Sequence, residues 1–294
     1  MKPPLGTTVS IIGAGRLGTA LGAALKHRGF TIQGISCGSV LSVRASRRFI
    51  GAGIPFTDIH KAAAGSRIVF LTVPDDAIVE VVKELAASVR SWSGVFVFHC
   101  SGLHLSAILK PLARKGARTA SLHPIQSFAS KRAEPDVFRS IYFGIEGEPQ
   151  ALETACSLVR DLGGNPLVLA AEHKPLYHAA CSIASNLLVA LIHEASGLLP
   201  SAGIPRPMGS DILLPLIQGT LQNVKIFDTG KALTGPLTRG DGETIKHHLK
   251  ALQDHPSALL VYREMSKSAL SIAHTEEKIS SRKYRQLMAL LADK

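Results

Sequence analysis

Acidic side chains are missing from the start of this chain of 294 residues, where Asp58 is the first Asp or Glu. A ligand held by that stretch meets hydroxyls and cations, not carboxylates. Cysteine is also scarce: Cys37, Cys100, Cys156 and Cys181 lie far apart with no Cys-x-x-Cys pair. This excludes a disulfide scaffold and a zinc ribbon, and points to a reducing, cytoplasmic setting. Twelve histidines without a His-x-x-x-His spacing imply no metal. Aromatic residues make up only 5%, and no long basic run accompanies the net charge of +11. Nucleic acid, which needs stacking surfaces and a basic track, is therefore not expected. Residues 1–170 hold 19 Lys and Arg against 11 Asp and Glu, leaving 14 against 11 for 171–294, so a small anionic ligand of the first half explains the excess. The longest apolar stretch, 179–192, is broken by Ser182, Ser185 and Asn186 and falls short of the roughly 20 residues of a bilayer span. No membrane is expected. Gly13, Gly15, Arg16 and Gly18 likewise interrupt the apolar segment near the start, which reads as a glycine loop and not as an export leader.

What is present is ample core material, 46% hydrophobic against 19% charged, at a length that suits two domains. Hydrophobic periodicity predicts strands at 8–12, 31–36, near 55, and at 68–73, 95–99, 119–122, 141–145 and 166–170. Helices are predicted at 17–27, 41–49, 59–64, 77–88 and 106–115. This alternation implies an α/β fold, a Rossmann-type doubly wound parallel sheet. Helical patterns then take over, at 173–199, 207–227, 242–253, 256–274 and 280–292, with loops at 200–207 and 230–242. The expected domains are 1–171 and an all-α domain at 172–294.

Gly13-Ala14-Gly15-Arg16-Leu17-Gly18 leaves a predicted strand and opens a predicted helix. In that context the first glycine permits a tight turn, the second lets backbone approach a pyrophosphate, and the third lets helix pack on strand. The helix N-terminus then favours negative charge. A dinucleotide is the expected ligand. NAD is usually held by an acid about 20 residues further on. Here Ser36, Ser39 and Arg44 stand near the second strand, with Arg47 and Arg48 beyond, so a 2'-phosphate is better served and NADP is favoured. An ordinary solvated arginine face is the alternative.

Ligands of open α/β sheets bind at the C-terminal strand ends. Thr72, Val73 and Pro74 with Asp75 and Asp76, the run from His99 to Gly102, and His123-Pro124 all lie there. Asp75 and Asp76 read as caps of the following helix. In the first helix of the second domain His178, Ser182, Ser185 and Asn186 stand at i, i+4, i+7 and i+8, a polar stripe that needs polar partners or a wet cleft. His123 and His178 are the acid/base candidates, because imidazole exchanges protons near neutral pH. Either could instead be structural. Cys100 and Cys181 read as packed thiols. Arg239, in a glycine-bounded loop, could clamp a carboxylate or fix its loop, and Asp241 reads as a helix cap.

On these motifs the chain resembles the Rossmann-like family whose helical C-terminal domain is of unknown function, within the 6-phosphogluconate dehydrogenase C-terminal-like superfamily. The likeness rests on residues 13–18, 71–78, 99–102, Leu122-His123-Pro124 with Gln126-Ser127-Phe128, Tyr177 to Ala180 with Ser185-Asn186, and 235–241. It spans nearly the whole length. Wider relatives are pyrroline-5-carboxylate reductases, β-hydroxyacid dehydrogenases and prephenate dehydrogenases, and the resemblance implies NADP-dependent oxidoreduction and a second domain that dimerises. The lysine of the β-hydroxyacid dehydrogenase Lys-x-x-x-Asn is Ser182 here, which argues against that subclass. Ser101 and His123-Pro124 echo prephenate dehydrogenases.

The leading expectation is an enzyme moving hydride between NADP(H) and a small, anionic carbonyl, imine or hydroxy compound in a cleft between the domains. His123 or His178 would be the acid/base, with Ser101 and Asn186 orienting and Arg239 holding an anionic group. A non-catalytic NADP-binding sensor and a prephenate-dehydrogenase-like enzyme are the alternatives. A homodimer through the helical domain is expected, since its Ala and Leu faces need cover.

Overall fold

A computed structural model describes residues 7–88, 91–132, 134, 136–205 and 209–292. It divides into two compact units, 1–182 and 183–294. The first is built on eight strands: β1 (Thr8–Ile12), β2 (Thr31–Ser36), β3 (Ile54–Phe56), β4 (Ile68–Leu71), β5 (Phe96–His99), β6 (Arg118–Pro124), β7 (Tyr142–Gly147) and β8 (Asn165–Val168). They form one sheet in the order β3-β2-β1-β4-β5-β6-β7-β8. Its helices are α1 (Arg16–His27), α2 (Val40–Ile50), α3 (Ile59–Ala63), α4 (Ile78–Ser88), α5 (Lys110–Ala113), α6 (Pro149–Asp161) and α7 (Lys174–Ser182).

Successive strand residues point to opposite faces, and both faces of the central strands are covered, which is why β4 and β5 are nearly continuous apolar runs. Phe70 points to one layer, with Ile11, Phe98 and Phe143 against Leu21, Leu25, Val43 and Leu158. Its neighbours Val69 and Leu71 join Ile12 and Val97 against Ala62, Val82, Leu85 and Leu112 in the other. Ten side chains of this kind, each contributing about 1.5–3 kcal/mol when buried, outweigh any single polar contact in the unit.

The sheet is parallel, as expected, except at one pair: β6 and β7 run antiparallel, with His123 opposite Gly144. A parallel crossover needs an intervening helix. Among the described residues between these strands there is none. Helix α6 is absent from the sequence expectation. Its signal is legible, with buried Ala151, Thr154, Ala155, Leu158 and Val159 at helical spacing behind a proline in the first turn.

The second unit holds α8 (Leu188–Leu198), α9 (Gly209–Ala232), α10 (Pro236–Arg239), α11 (Gly242–Ala251), α12 (Pro256–Thr275) and α13 (Ser281–Leu291). The start of the helix predicted from 207 lies outside the described residues. Ile245, Leu270, Ala273, Ile279, Leu287 and Leu291 make a small core among α11, α12 and α13. By contrast α8 buries nothing, and α9 exposes Leu214, Leu216, Leu221, Ile226 and Phe227. The chain between α7 and α8 is a π-helical segment, Ile183–Leu187. His178 and Ser182 lie on α7, and Ser185 and Asn186 in this π-helical segment. By length and composition alone the stretch Ala171–Ala202 suffices to cross a membrane, with a mean hydropathy of 1.5 and none of its apolar window buried.

Candidate active site

The glycine loop is clamped from two sides. Gly13 and Ala14 donate their backbone N–H to the carbonyl of Ser36 at the end of β2, at 3.1 and 2.8 Å. From the end of β4, Thr72 Oγ1 donates to the Gly13 carbonyl at 2.8 Å. Gly13 has φ +89°, and a Cβ there would meet Val73 Cγ1 at 2.5 Å and its backbone N at 2.7 Å. A Cβ on Gly18 would meet Thr72 Oγ1 at 2.3 Å. Both glycines are needed by the fold itself. Gly15 differs, since its Cβ would have only the Gly13 carbonyl nearby, at 3.8 Å. It leads into α1 with no side-chain cap, so the first N–H groups of that helix, from exposed Arg16 and from half-buried Leu17, have no side-chain acceptor. Backbone can be approached there, as a pyrophosphate requires.

Ser36 is buried, and its Oγ has no hydrogen-bond partner among the described residues. Ser39 Oγ caps α2, accepting from Ser42 N at 3.2 Å. Arg44 lies with Arg47, Arg48, Gly53, Ile54 and Pro55 around a surface cavity of about 560 Å³. A further cation, not found by sequence reading, reaches α2 from the segment after β6: Lys131 Nζ donates to Ser42 Oγ at 2.8 Å and Ser46 Oγ at 3.0 Å. Ser46 Oγ in turn donates to the Ala14 carbonyl at 2.6 Å.

The ends of β4, β5 and β6 carry a second constellation. Ser101 is buried, and its hydroxyl donates to Asp75 Oδ2 at 2.8 Å while accepting from His104 N at 2.9 Å and Leu103 N at 3.2 Å. Asp75 is thus corrected from a helix cap to the partner of Ser101: the turn at Asp75–Ala77 has no side-chain cap, because adjacent parallel strands bring the two residues together. His123, on β6, is half-buried, and its Nδ1 lies 2.7 Å from Tyr177 Oη on α7. Its ring meets that of His178 edge-on at 5.8 Å. The missing side chain of Gly102 makes room, since a Cβ there would lie 2.3 Å from His178 Cδ2 and 3.0 Å from His123 Nε2. Gly144 does the same for Tyr177, whose hydroxyl would lie 2.5 Å from a Cβ at that position.

Beneath them sits Lys174, fully buried, its ammonium donating to Ser121 Oγ and to the His104 carbonyl. Burial pushes Lys174 down to about 8, resisted by Glu146, Cys100 and Asp75. Burial pushes His123 down to about 4, helped by His178 and Lys174, and His99 to about 3, helped by Lys174. Both imidazoles are therefore neutral at pH 7. His99 Nδ1 accepts from Ser101 N at 3.2 Å. Burial pushes the Cys100 thiol up to about 12, so it packs in the core and is no nucleophile.

The structure thus brings Ser101, His123 and His178 together within the first unit. Asn186 is exposed in the π-helical segment, and Arg239 is exposed at the end of α10, both in the second unit. Asp241 caps α11, accepting from Thr244 N at 3.1 Å. Sequence reading missed Lys174 and the role of Tyr177. The one cue was a lysine and a tyrosine three apart on the same helix as His178, too common a pattern to single out.

Residues 2–124 match the model of a Rossmann-like domain, and residues 141–269 match that of a domain of unknown function, DUF2520. No curated protein matches. Among solved structures, a proposed NADP oxidoreductase from Bacteroides fragilis is 25% identical with a TM-score of 0.76, over 90% of this chain and 98% of its own. A protein from Thermotoga maritima is 27% identical with a TM-score of 0.71, over 92% of this chain and 99% of its own. Pyrroline carboxylate reductase from Plasmodium falciparum, with NADP bound, shares only the fold, at 12% identity and a TM-score of 0.59 over 99% and 100%. The chain therefore pairs a Rossmann-like domain with a DUF2520 domain, and its structural neighbours include oxidoreductases.

Proposed function

We propose that the protein is an NADP-dependent oxidoreductase acting on a small, anionic carbonyl, imine or hydroxy compound. One observation carries the reading: a bare backbone cradle at Gly15 and the neutral imidazole of His123 stand at the same edge of one sheet. Bound NADPH would supply hydride from its nicotinamide. Gly13 to Gly18 would hold the pyrophosphate, with Thr72, Val73 and Pro74 bracing the loop. Ser36, Ser39 and Arg44 would face the adenosine 2'-phosphate, where no carboxylate opposes it. Ser101, tied to Asp75, positions the turn that carries Gly102, whose missing side chain lets His178 pack beside His123. His123 is the better catalytic candidate, because its Nδ1 is held by Tyr177, which leaves Nε2 for a substrate. Asn186 and Arg239 remain proposed as orienting and anion-holding groups. We further propose that the protein works in the cytoplasm, as a homodimer, without membrane or nucleic acid.

Fluorescence titration tests the cofactor reading: NADPH should bind at least about tenfold more tightly than NADH, a difference of about 1.4 kcal/mol. Equal affinities would overturn the NADP preference, and no binding of either would overturn the function. Binding without turnover of any carbonyl, imine or hydroxy acid tested would favour the sensor.

A further inference from the structure

The 2.7 Å contact between Tyr177 Oη and His123 Nδ1 holds one shared hydrogen, and which atom owns it decides what the site can do. Among the described residues His123 Nδ1 is the hydrogen-bond partner of the phenolic oxygen, and an unprotonated imidazole nitrogen is a strong acceptor for the single phenolic hydrogen. The two rings meet edge-on at 89°, with centroids 5.7 Å apart.

We propose that Tyr177 is a positioning residue that fixes His123 as the Nε2–H tautomer, so that the site presents a hydrogen-bond donor and takes a carbonyl or imine in the reductive direction. The proposal deepens the oxidoreductase reading and rests on it. A neutral imidazole has one N–H, so when Nδ1 accepts, Nε2 must carry the hydrogen. Burial keeps both partners in the forms this needs, with the Tyr177 phenol pushed up and the His123 imidazole pushed down. Nε2 is turned toward Gly102 and His178: a Cβ on Gly102 would stand 3.0 Å from it and 2.9 Å from His178 Nε2.

A hydroxyl substrate awaiting oxidation needs a base at this position, and an Nε2–H cannot be one. A C=O or C=N group needs a donor, and an oxyanion forming on the substrate is stabilised by one already in place. The balance is simple. Bound NADPH would supply the hydride to the carbonyl carbon and with it both electrons, so the chain itself has only a proton to deliver. The substrate oxygen takes the Nε2 hydrogen, the Tyr177 hydrogen crosses to Nδ1, and the tyrosinate left behind takes a proton from water.

Long-range ¹H–¹⁵N spectra of the full chain with ¹⁵N-labelled histidine, free of cofactor, test this at neutral pH, the His123 signals being assigned by their loss in His123→Gln. Expected is a protonated Nε2 and an acceptor-type Nδ1. In Tyr177→Phe, which keeps the ring, the ratio of Nε2–H to Nδ1–H should fall about fivefold to tenfold, the worth of one net hydrogen bond. A wild-type Nδ1–H signal would overturn the proposal, and so would spectra unchanged by Tyr177→Phe. Should that variant not fold, the wild-type spectrum decides alone. NADPH titration of the same sample reports separately on the oxidoreductase reading, which fails if nothing binds whatever the tautomer.

Discussion

Two glycines two residues apart should respond in opposite ways to the same methyl group. Gly13→Ala places an L side chain at φ +89°, a conformation costing about 1–3 kcal/mol for a non-glycine residue. Its Cβ also lies 2.7 Å from Val73 N and 2.9 Å from Val73 Cα, backbone atoms at the end of a central strand, adding about 1–3 kcal/mol of overpacking. A loss of roughly 2–6 kcal/mol lowers the melting midpoint by about 4–24 °C in a unit of this size. Gly15→Ala meets nothing closer than 3.8 Å and sits at φ −71°, so the free protein should lose no more than about 1 kcal/mol. The same methyl group stands where a pyrophosphate has to approach the backbone, and should weaken NADPH at least about 100-fold, or 2.7 kcal/mol. Thermal unfolding and NADPH fluorescence, run on both variants, separate the two effects. Wild-type NADPH affinity in a folded Gly15→Ala would refute the assignment of this loop as the cradle, and an unshifted midpoint in Gly13→Ala would refute the steric argument.

Arg44→Ala should weaken NADPH while sparing NADH if Arg44 reaches the 2'-phosphate; equal losses for both cofactors would show that it does not. His99 should make the protein acid-sensitive. Its folded value near 3 lies below the unfolded value of about 6.5, so the unfolded chain takes up a proton first and stability falls as pH drops from about 6.5 towards 3. At pH 4.5 this removes about 2–3 kcal/mol, and His99→Leu should lose that part of the pH dependence of urea unfolding; an identical pH dependence in the variant would contradict the assignment. Light scattering should give a dimer at micromolar concentration, and Leu216→Asp, on the exposed face of α9, should shift it to monomer without lowering the melting midpoint of the monomer. A wild-type monomer would leave the apolar face of α9 without the proposed cover.

The glycine loop, the strands at 8–12 and 31–36 and the long helices were legible from sequence because the forces that make them act between neighbours: pleat, helical period, capping and turn chemistry. The absence of acid before Asp58 was equally local, and it carries the proposed preference for NADP. Helix α6 was legible too and went unread. Tertiary structure alone turned β7 antiparallel, and it brought Gly144 opposite His123. It also set Tyr177 against a histidine 54 positions away, and Lys174 under a serine 53 positions away. Periodicity cannot see such pairs. Whether an imidazole is charged, and which nitrogen bears its hydrogen, depends on how much water is excluded and on which donors packing has left within 3 Å, and both are properties of the assembled sheet, absent from any stretch of chain.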